Sequence, residues 1–384
     1  MQVNRYPIII MMLLLVSHSC IEPYDPVINE AQQVMVIDGM ITDRPGIHSV
    51  RISRATPYNS PSFNPVGGCV VTVQDNLGNL EFYYESSQAE GVYEAWLDAP
   101  FLGVGKSYSL QVITPSNREY VSDYDTLLSC PPVDSLYYIQ KESGGEDPEE
   151  IWHGVQFYND VRGQKSGTRN YRWKAIATWE YRSPAAYNYI WDRGIVTPNL
   201  DDSVHYCWLT ETIQTVYAAS TRLLSENSIY KNKLHYVSDQ TPRLAVRYSL
   251  LVEQQSLTDQ AYMYWEKLAA QSANAASLYE TQPASSQGNI HNKYISDEKV
   301  LGCFYATQIQ DKRLFVDKKE LDFPVAAYKC TLDTLFNNSS FYIDDYYFLL
   351  SLNPIGPGPP WMGGPKNCFD CTERGGDNEK PDFW

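Results

Sequence analysis

The sequence predicts a mainly β protein: an N-terminal immunoglobulin-like β-sandwich, then a larger antiparallel β domain with one notable helix. Three observations carry this. Apolar and polar residues alternate over short segments between residues 33 and 127, the period of a half-buried strand. Turn-forming clusters separate those segments at regular spacing. Only one segment of the chain carries a helical period. Apolar residues are 43% of the 384, enough to build a core rather than a disordered chain.

In chain order, Gln33 to Ile41 reads as the first strand, and in the second Val50 and Ile52 alternate with Arg51 and Ser53. Val71 and Val73 alternate with Thr72 and Gln74, and Asp75-Asn76-Leu77-Gly78-Asn79 follows as a hairpin turn tolerant of positive φ. Leu80 to Tyr84, Gly91 to Trp96, Ser107 to Thr114 and Tyr120 to Leu127 complete a set of short strands over residues 33–129. Cys130-Pro131-Pro132 breaks the ladder and marks the boundary.

Residues 130–351 are expected to form the antiparallel β domain, with longer strands at Ser135–Lys141, Ile151–Tyr158, Tyr171–Tyr181 and Arg243–Glu253. The helix is expected near 257–274, with Ser256 as its cap and Ala261, Trp265 and Leu268 on one face. Val300–Ile309 and Arg313–Val316 read as a hairpin. Residues 352–384 are a Pro/Gly-rich tail without expected regular structure. It carries Trp361, Phe369, Phe383 and Trp384, which suggests that it packs onto the body.

The start of the chain reads as a lipoprotein signal. Arg5 precedes an unbroken apolar run from Ile8 to Val16. That run is shorter than the about 20 residues a spanning helix needs and fits the core of a signal peptide. Ser17, His18, Ser19 and Cys20 follow. Residues 1–19 are therefore expected to be removed and Cys20 to carry lipid, with 20–32, acidic and broken by Pro23 and Pro26, as a tether.

Acidic residues outnumber basic ones 46 to 30 and the formal charge is −16. That excludes nucleic acid as a main ligand. No phosphate-binding Gly loop, G-x-S-x-G or H-E-x-x-H is present, and His48, His153, His205, His235 and His291 have no ligand spacing. No catalytic residue, metal or cofactor is expected.

Eight cysteines are present. Cys368-Phe369-Asp370-Cys371 is a C-x-x-C, and His205 and Cys207 lie upstream. These are zinc-ligand types, but a second C-x-x-C is missing, and an exported chain favours disulfides. At least one of Cys368 and Cys371 is expected to bond its neighbour or Cys207. Cys303, in an apolar run, reads as a buried free thiol. Tyr187, Tyr189 and Trp191, within an expected polar loop at 183–202, are the candidate partner-binding residues. The alternative is that they fold back onto the sheet.

Several of these segments resemble one family. They are the lipobox cysteine, Val36-Ile37-Asp38-Gly39, Gly67-Gly68-Cys69-Val70-Val71-Thr72-Val73, Gly105-Lys106-Ser107-Tyr108, Gly288-Asn289-Ile290, Val300-Leu301-Gly302-Cys303-Phe304, and the ending from Cys368 through Pro381-Asp382-Phe383-Trp384. Together they resemble the family named domain of unknown function 4249, over essentially the whole mature chain. The resemblance implies an outer-membrane lipoprotein of Bacteroidota-type bacteria, often encoded beside TonB-dependent transporters, and brings no catalytic residues. The leading expectation is a non-enzymatic accessory of such a transporter, exposed at the cell surface, that captures or gates a ligand. A surface adhesin or assembly factor, and a hydrolase of an extracellular polymer, are the other two.

Overall fold

The computed structural model describes residues 34–55, 64–144, 151–186, 189–192, 195–198, 203–274, 288–335, 348–351 and 361–384. The expected signal peptide 1–19, Cys20, the tether 20–32 and Tyr187 lie outside them. The chain is mainly β, with one long helix among the described residues.

The first sheet system has twelve strands. Its path runs Ile290–Asn292, Glu119–Ser122, Ser107–Ile113, Val70–Asp75, Leu80–Glu85, Val92–Leu97, Gly46–Arg54, Met35–Thr42 and Val300–Leu301. The strand Leu80–Glu85 is where it folds over. Leu80 to Tyr83 pair with Val70–Asp75, while Tyr84 and Glu85 pair with Val92–Leu97. Side chains from both sides of that fold, Ile37, Ile52 and Tyr93 with Val73, Leu110 and Val112, meet in one core. At the hairpin after Asp75, its buried carboxylate accepts the N–H groups of Leu77 (2.9 Å) and Asn79 (2.8 Å), and Gly78 takes φ 89°. These bonds hold the Asp75 pKa below its usual value despite burial.

The expected boundary at residue 129 does not close this unit. Val300–Leu301 and Phe304–Thr307 pair in parallel with Met35–Thr42, and Ile290–Asn292 pairs with Glu119–Ser122. A parallel partner must arrive by a long crossover, here through the whole second sheet system, and local periodicity does not reveal it. The expected hairpin at 300–316 is absent for the same reason. Phe304–Thr307 joins the first system, whereas Ile309–Asp317 pairs with Arg247–Leu257 in the second. Gln308 marks the crossing. It accepts the N–H of Cys130 at 2.9 Å and donates to Asp43 at 2.9 Å.

The second system is antiparallel. One sheet orders Tyr206–Thr212, Asn170–Arg182, Arg247–Leu257 and Ile309–Asp317, with Tyr217–Ser220 also on Asn170–Arg182. A three-stranded sheet of Val133–Gly144, Ile151–Arg162 and Ser228–Ser238 shares its core, where Phe157 packs on Tyr248 (ring centroids 5.7 Å) near the buried Trp173.

The helix spans Asp259–Asn274. Its cap is Thr258, whose Oγ1 accepts the Ala261 N–H at 3.3 Å. Ser256, the cap expected from sequence, still belongs to the strand Arg247–Leu257, and its hydroxyl donates to the Leu128 carbonyl at 2.5 Å. Ala261, Trp265 and Leu268 face Cys303, Tyr305 and Met40, so the helix bridges the two sheet systems. Arg172 lies 3.7 Å from the Trp265 ring centre, and its guanidinium also donates to Gln255 (2.8 Å) and Tyr305 (3.2 Å).

The tail is not wholly irregular. Trp361–Gly363 is a strand between Asp333–Leu335 and Phe348–Ser351, in a small sheet with Tyr189–Asp192 and Ile195–Pro198. Beyond it, the Trp208 and Asp377 backbones pair at 2.8 and 2.9 Å, and Trp384 donates to Glu180 at 3.2 Å. Arg313 lies 3.4 Å from the Phe383 ring centre.

Candidate functional site: an aromatic sheet face

The same alternation that fills the first core leaves one outer face uncovered by the described residues. In Leu80–Glu85, Tyr83 points inward, so Leu80, Phe82 and Tyr84 point out. In Val92–Leu97, Tyr93, Ala95 and Leu97 are inside and Trp96 is outside. The register sets Trp96 beside Ile47, and Glu94 between Tyr84 and Ser49. Tyr84 is 74% exposed, Ile47 68% and Trp96 65%. Exposed apolar side chains scattered singly are ordinary, but a contiguous group marks an interaction site.

The edges of the face are polar and fixed. The Trp96 indole N–H donates to Asp98 at 2.9 Å, so its polar end is satisfied while its ring faces water. Glu85 turns away from the face to accept the N–H groups of Gly91 (3.0 Å) and Gly68 (2.8 Å), which hold its pKa below the usual carboxylate value. Gly91 sits at φ 74°, and a Cβ there would lie 2.6 Å from the Ile52 carbonyl oxygen. The loop that closes this edge therefore requires glycine. Exposed aromatic side chains set among polar ones, Trp96 beside Ile47 and Tyr84 beside Glu94, are the residue types that anchor protein-binding surfaces. This face was missed in the sequence because its residues read only as the outer half of alternating strands. The signal was available, since those outer positions hold Phe82, Tyr84 and Trp96 where a solvated face would hold polar residues.

The described residues among those singled out in the sequence lie elsewhere. Tyr189 is half-buried and packs edge-on against the buried Trp361, ring centroids 5.4 Å apart. Trp191 lies on the strand Tyr189–Asp192, and the expected polar loop contains the hairpin of that strand with Ile195–Pro198. A loop rich in Tyr, Ile and Trp has enough β propensity to pair once a neighbouring strand is supplied, and Phe348–Ser351 supplies it. Cys371 is bonded to Cys207, and Cys368 to Cys330, a cysteine with no role in the sequence reading. All four sulfurs are thus removed from metal chemistry. Among the described residues no group of three or more His, Cys, Asp and Glu side chains is placed to hold a metal. Cys303 is buried and forms no disulfide, and neither do Cys69 and Cys130. Burial pushes the Cys130 thiol pKa up to about 12 and that of Cys303 also well up, so neither supplies a thiolate near neutral pH.

Fold and face together define a mainly β, disulfide-stapled chain with an exposed aromatic sheet surface. It belongs to the family described as Domain of unknown function (DUF4249), whose model matches residues 21–313. The ending from Cys368 to Trp384 lies outside the matched residues. No curated protein matches the chain. Three of the motifs that carry the family resemblance meet in space. Gly302, at φ 94°, leaves no room for a Cβ, which would come 2.0 Å from the Ile37 carbonyl oxygen. Gly288 packs against Gly302 in the same way, with 2.0 Å to its carbonyl oxygen. These motifs weld the returning strands onto Met35–Thr42.

Proposed function

We propose that the chain is a non-enzymatic binding protein of the bacterial outer membrane. It is a lipoprotein cut before Cys20, held by lipid on that residue and exposed at the cell surface. It serves as an accessory of a TonB-dependent β-barrel transporter, capturing or gating a ligand at the barrel mouth. In this reading the first sheet system is an immunoglobulin-like sandwich whose outer face docks on the barrel or on a subunit beside it. The observation that carries the reading is the exposed group of Ile47, Tyr84 and Trp96 on one sheet face. Such a surface is costly in water and is stabilised by a partner. Tyr189 is half-buried against Trp361 and presents less aromatic surface than this face, so we put the docking surface here rather than in the 183–202 segment.

Affinity purification from detergent-solubilised outer membrane tests the reading. A barrel transporter should be recovered with the wild-type chain and lost with Trp96→Ala/Tyr84→Ala. Recovery of no barrel protein by the wild type would end the accessory reading. A surface adhesin would use the same face, and recovery of non-barrel surface proteins alone would favour it.

A further inference from the structure

A second exposed feature lies at the opposite kind of place, on two loops rather than on a sheet. The loops 162–169 and 220–227 are tied into one tip. Asn227 is buried and donates to the carbonyls of Gln164 and Thr168, both at 2.8 Å. Its Oδ1 accepts from Thr221 (2.6 Å) and Tyr171 (3.1 Å), and its own carbonyl accepts the Gly163 N–H at 2.8 Å. Arg169 closes the other side, donating to the carbonyls of Thr221 (3.1 Å), Leu224 (3.1 Å) and Lys165 (3.2 Å). A Cβ at Gly163 would lie 2.4 Å from the Asn227 side-chain nitrogen. The frame is therefore specific and fully bonded, yet it holds Leu223 out at 100% exposure and Leu224 at 52%.

The charge of this tip is opposite to that of the chain. Arg162, Lys165, Arg169 and Arg222 stand on the two loops against a single acid, Glu226, in a protein of formal charge −16. Arg222 reaches Asp259 at 3.3 Å and Arg162 reaches Asp134 at 4.0 Å, all on exposed side chains. Two leucines in water with a basic collar match the requirements of a bilayer interface. Apolar side chains enter the acyl boundary while Lys and Arg meet lipid phosphates. A flat apolar protein surface would not need the collar.

We propose that this tip inserts into an anionic phospholipid surface. It is a membrane contact additional to the lipid suggested at Cys20 and does not depend on it. Leu223 and Leu224 enter the interface, and Lys165 and Arg222 face the headgroup phosphates. Arg169 positions the loops.

The test places an environment-sensitive fluorophore on Leu223→Cys in the full chain, with Cys69→Ser to remove the partly exposed native thiol. The control label sits on Leu77→Cys, an exposed hairpin tip of the first sheet system. With vesicles of phosphatidylethanolamine and phosphatidylglycerol, emission from position 223 should shift to the blue and be quenched by doxyl-labelled lipid, and emission from position 77 should not change. Lys165→Glu with Arg222→Glu should weaken the apparent affinity by about tenfold or more, with melting unchanged. An unshifted label at 223 on vesicles that carry the protein would overturn the proposal, because the label reports locally however the chain is attached. An equal shift at 77, or an equal response on phosphatidylcholine vesicles, would overturn it too. If Leu223→Ser/Leu224→Ser instead abolished recovery of a protein partner without any shift at 223, the tip would be a protein contact. Membrane fractionation of Cys20→Ala tests the lipid anchor separately.

Discussion

Asn289 is hydrogen-bonded to both backbone groups of Phe304. Its Nδ2 donates to the Phe304 carbonyl at 2.7 Å, and its Oδ1 accepts the Phe304 N–H at 3.0 Å. A side chain here does the work of a neighbouring strand, at the point where residues 288–307 rejoin the first sheet system. Both partners are buried.

Asn289→Ala should therefore cost roughly 2–6 kcal/mol, since two buried backbone groups lose their partners at about 1–3 kcal/mol each. The measurement is the urea midpoint followed by tryptophan fluorescence. A loss under about 0.5 kcal/mol, the range of an indifferent surface change, would mean that these bonds are replaced by others.

Removing the bridge of Cys207 with Cys371 should release the tail. The two residues are 164 apart in sequence, and a loop of that length stabilises by about 5 kcal/mol in the chain-entropy description. Cys330–Cys368, with a separation of 38, is nested inside it, so the two effects overlap. Cys207→Ser/Cys371→Ser should lose roughly 3–5 kcal/mol and become sensitive to limited proteolysis within 361–384. A tail as protected as in the wild type would show that Trp384 and the Trp208–Asp377 backbone pairing suffice to hold it.

Two buried groups should contribute opposing pH slopes to stability, and removing either should expose the slope of the other. Burial raises the Asp125 pKa from 3.8 to about 6, although its carboxylate accepts from Thr258 and from the Ala306 N–H at 2.8 Å. The native state then binds a proton more tightly than the unfolded chain. Asp125 costs nothing below pH 3.8 and its full penalty above pH 6, so its contribution falls as pH rises through that window. Burial, and then the charge of Arg243, lower the His235 pKa from 6.5 to about 4. Its penalty is absent above pH 6.5 and grows as pH falls toward 4. The slopes oppose each other, each worth roughly 3 kcal/mol. Asp125→Asn should lose stability between pH 6.5 and 4 relative to the wild type, and His235→Gln should gain it. Parallel pH profiles for all three proteins would contradict the assignment.

Trp96→Ala and Tyr84→Ala should each lower partner association by about tenfold or more, at about 1.4 kcal/mol per factor of ten, with little change in melting. Trp173→Ala is the contrasting variant. Trp173 is buried and donates to Gln254 at 3.0 Å, so its loss should cost about 3–5 kcal/mol of stability. If Trp96→Ala melted as low as Trp173→Ala, the exposed face would be part of the fold rather than a docking surface.

Local pattern determined a great deal here by itself. The alternation of Tyr108, Leu110 and Val112, the turn at Asp75–Asn79 and the helical face of Ala261, Trp265 and Leu268 are each written in a few consecutive residues. Each depends on a backbone period or a local hydrogen bond. Tertiary structure alone decided the rest. The return of Phe304 beside Gly39, the bonding of Cys330 to Cys368 and the packing of the half-buried Tyr189 against Trp361 join residues far apart in the chain, and the exposure of Trp96 depends on what packs beside it. A strand's two faces look alike in sequence until something packs on one of them. Which face is covered is set by burial against segments that arrive from elsewhere, and burial is a property of the whole fold.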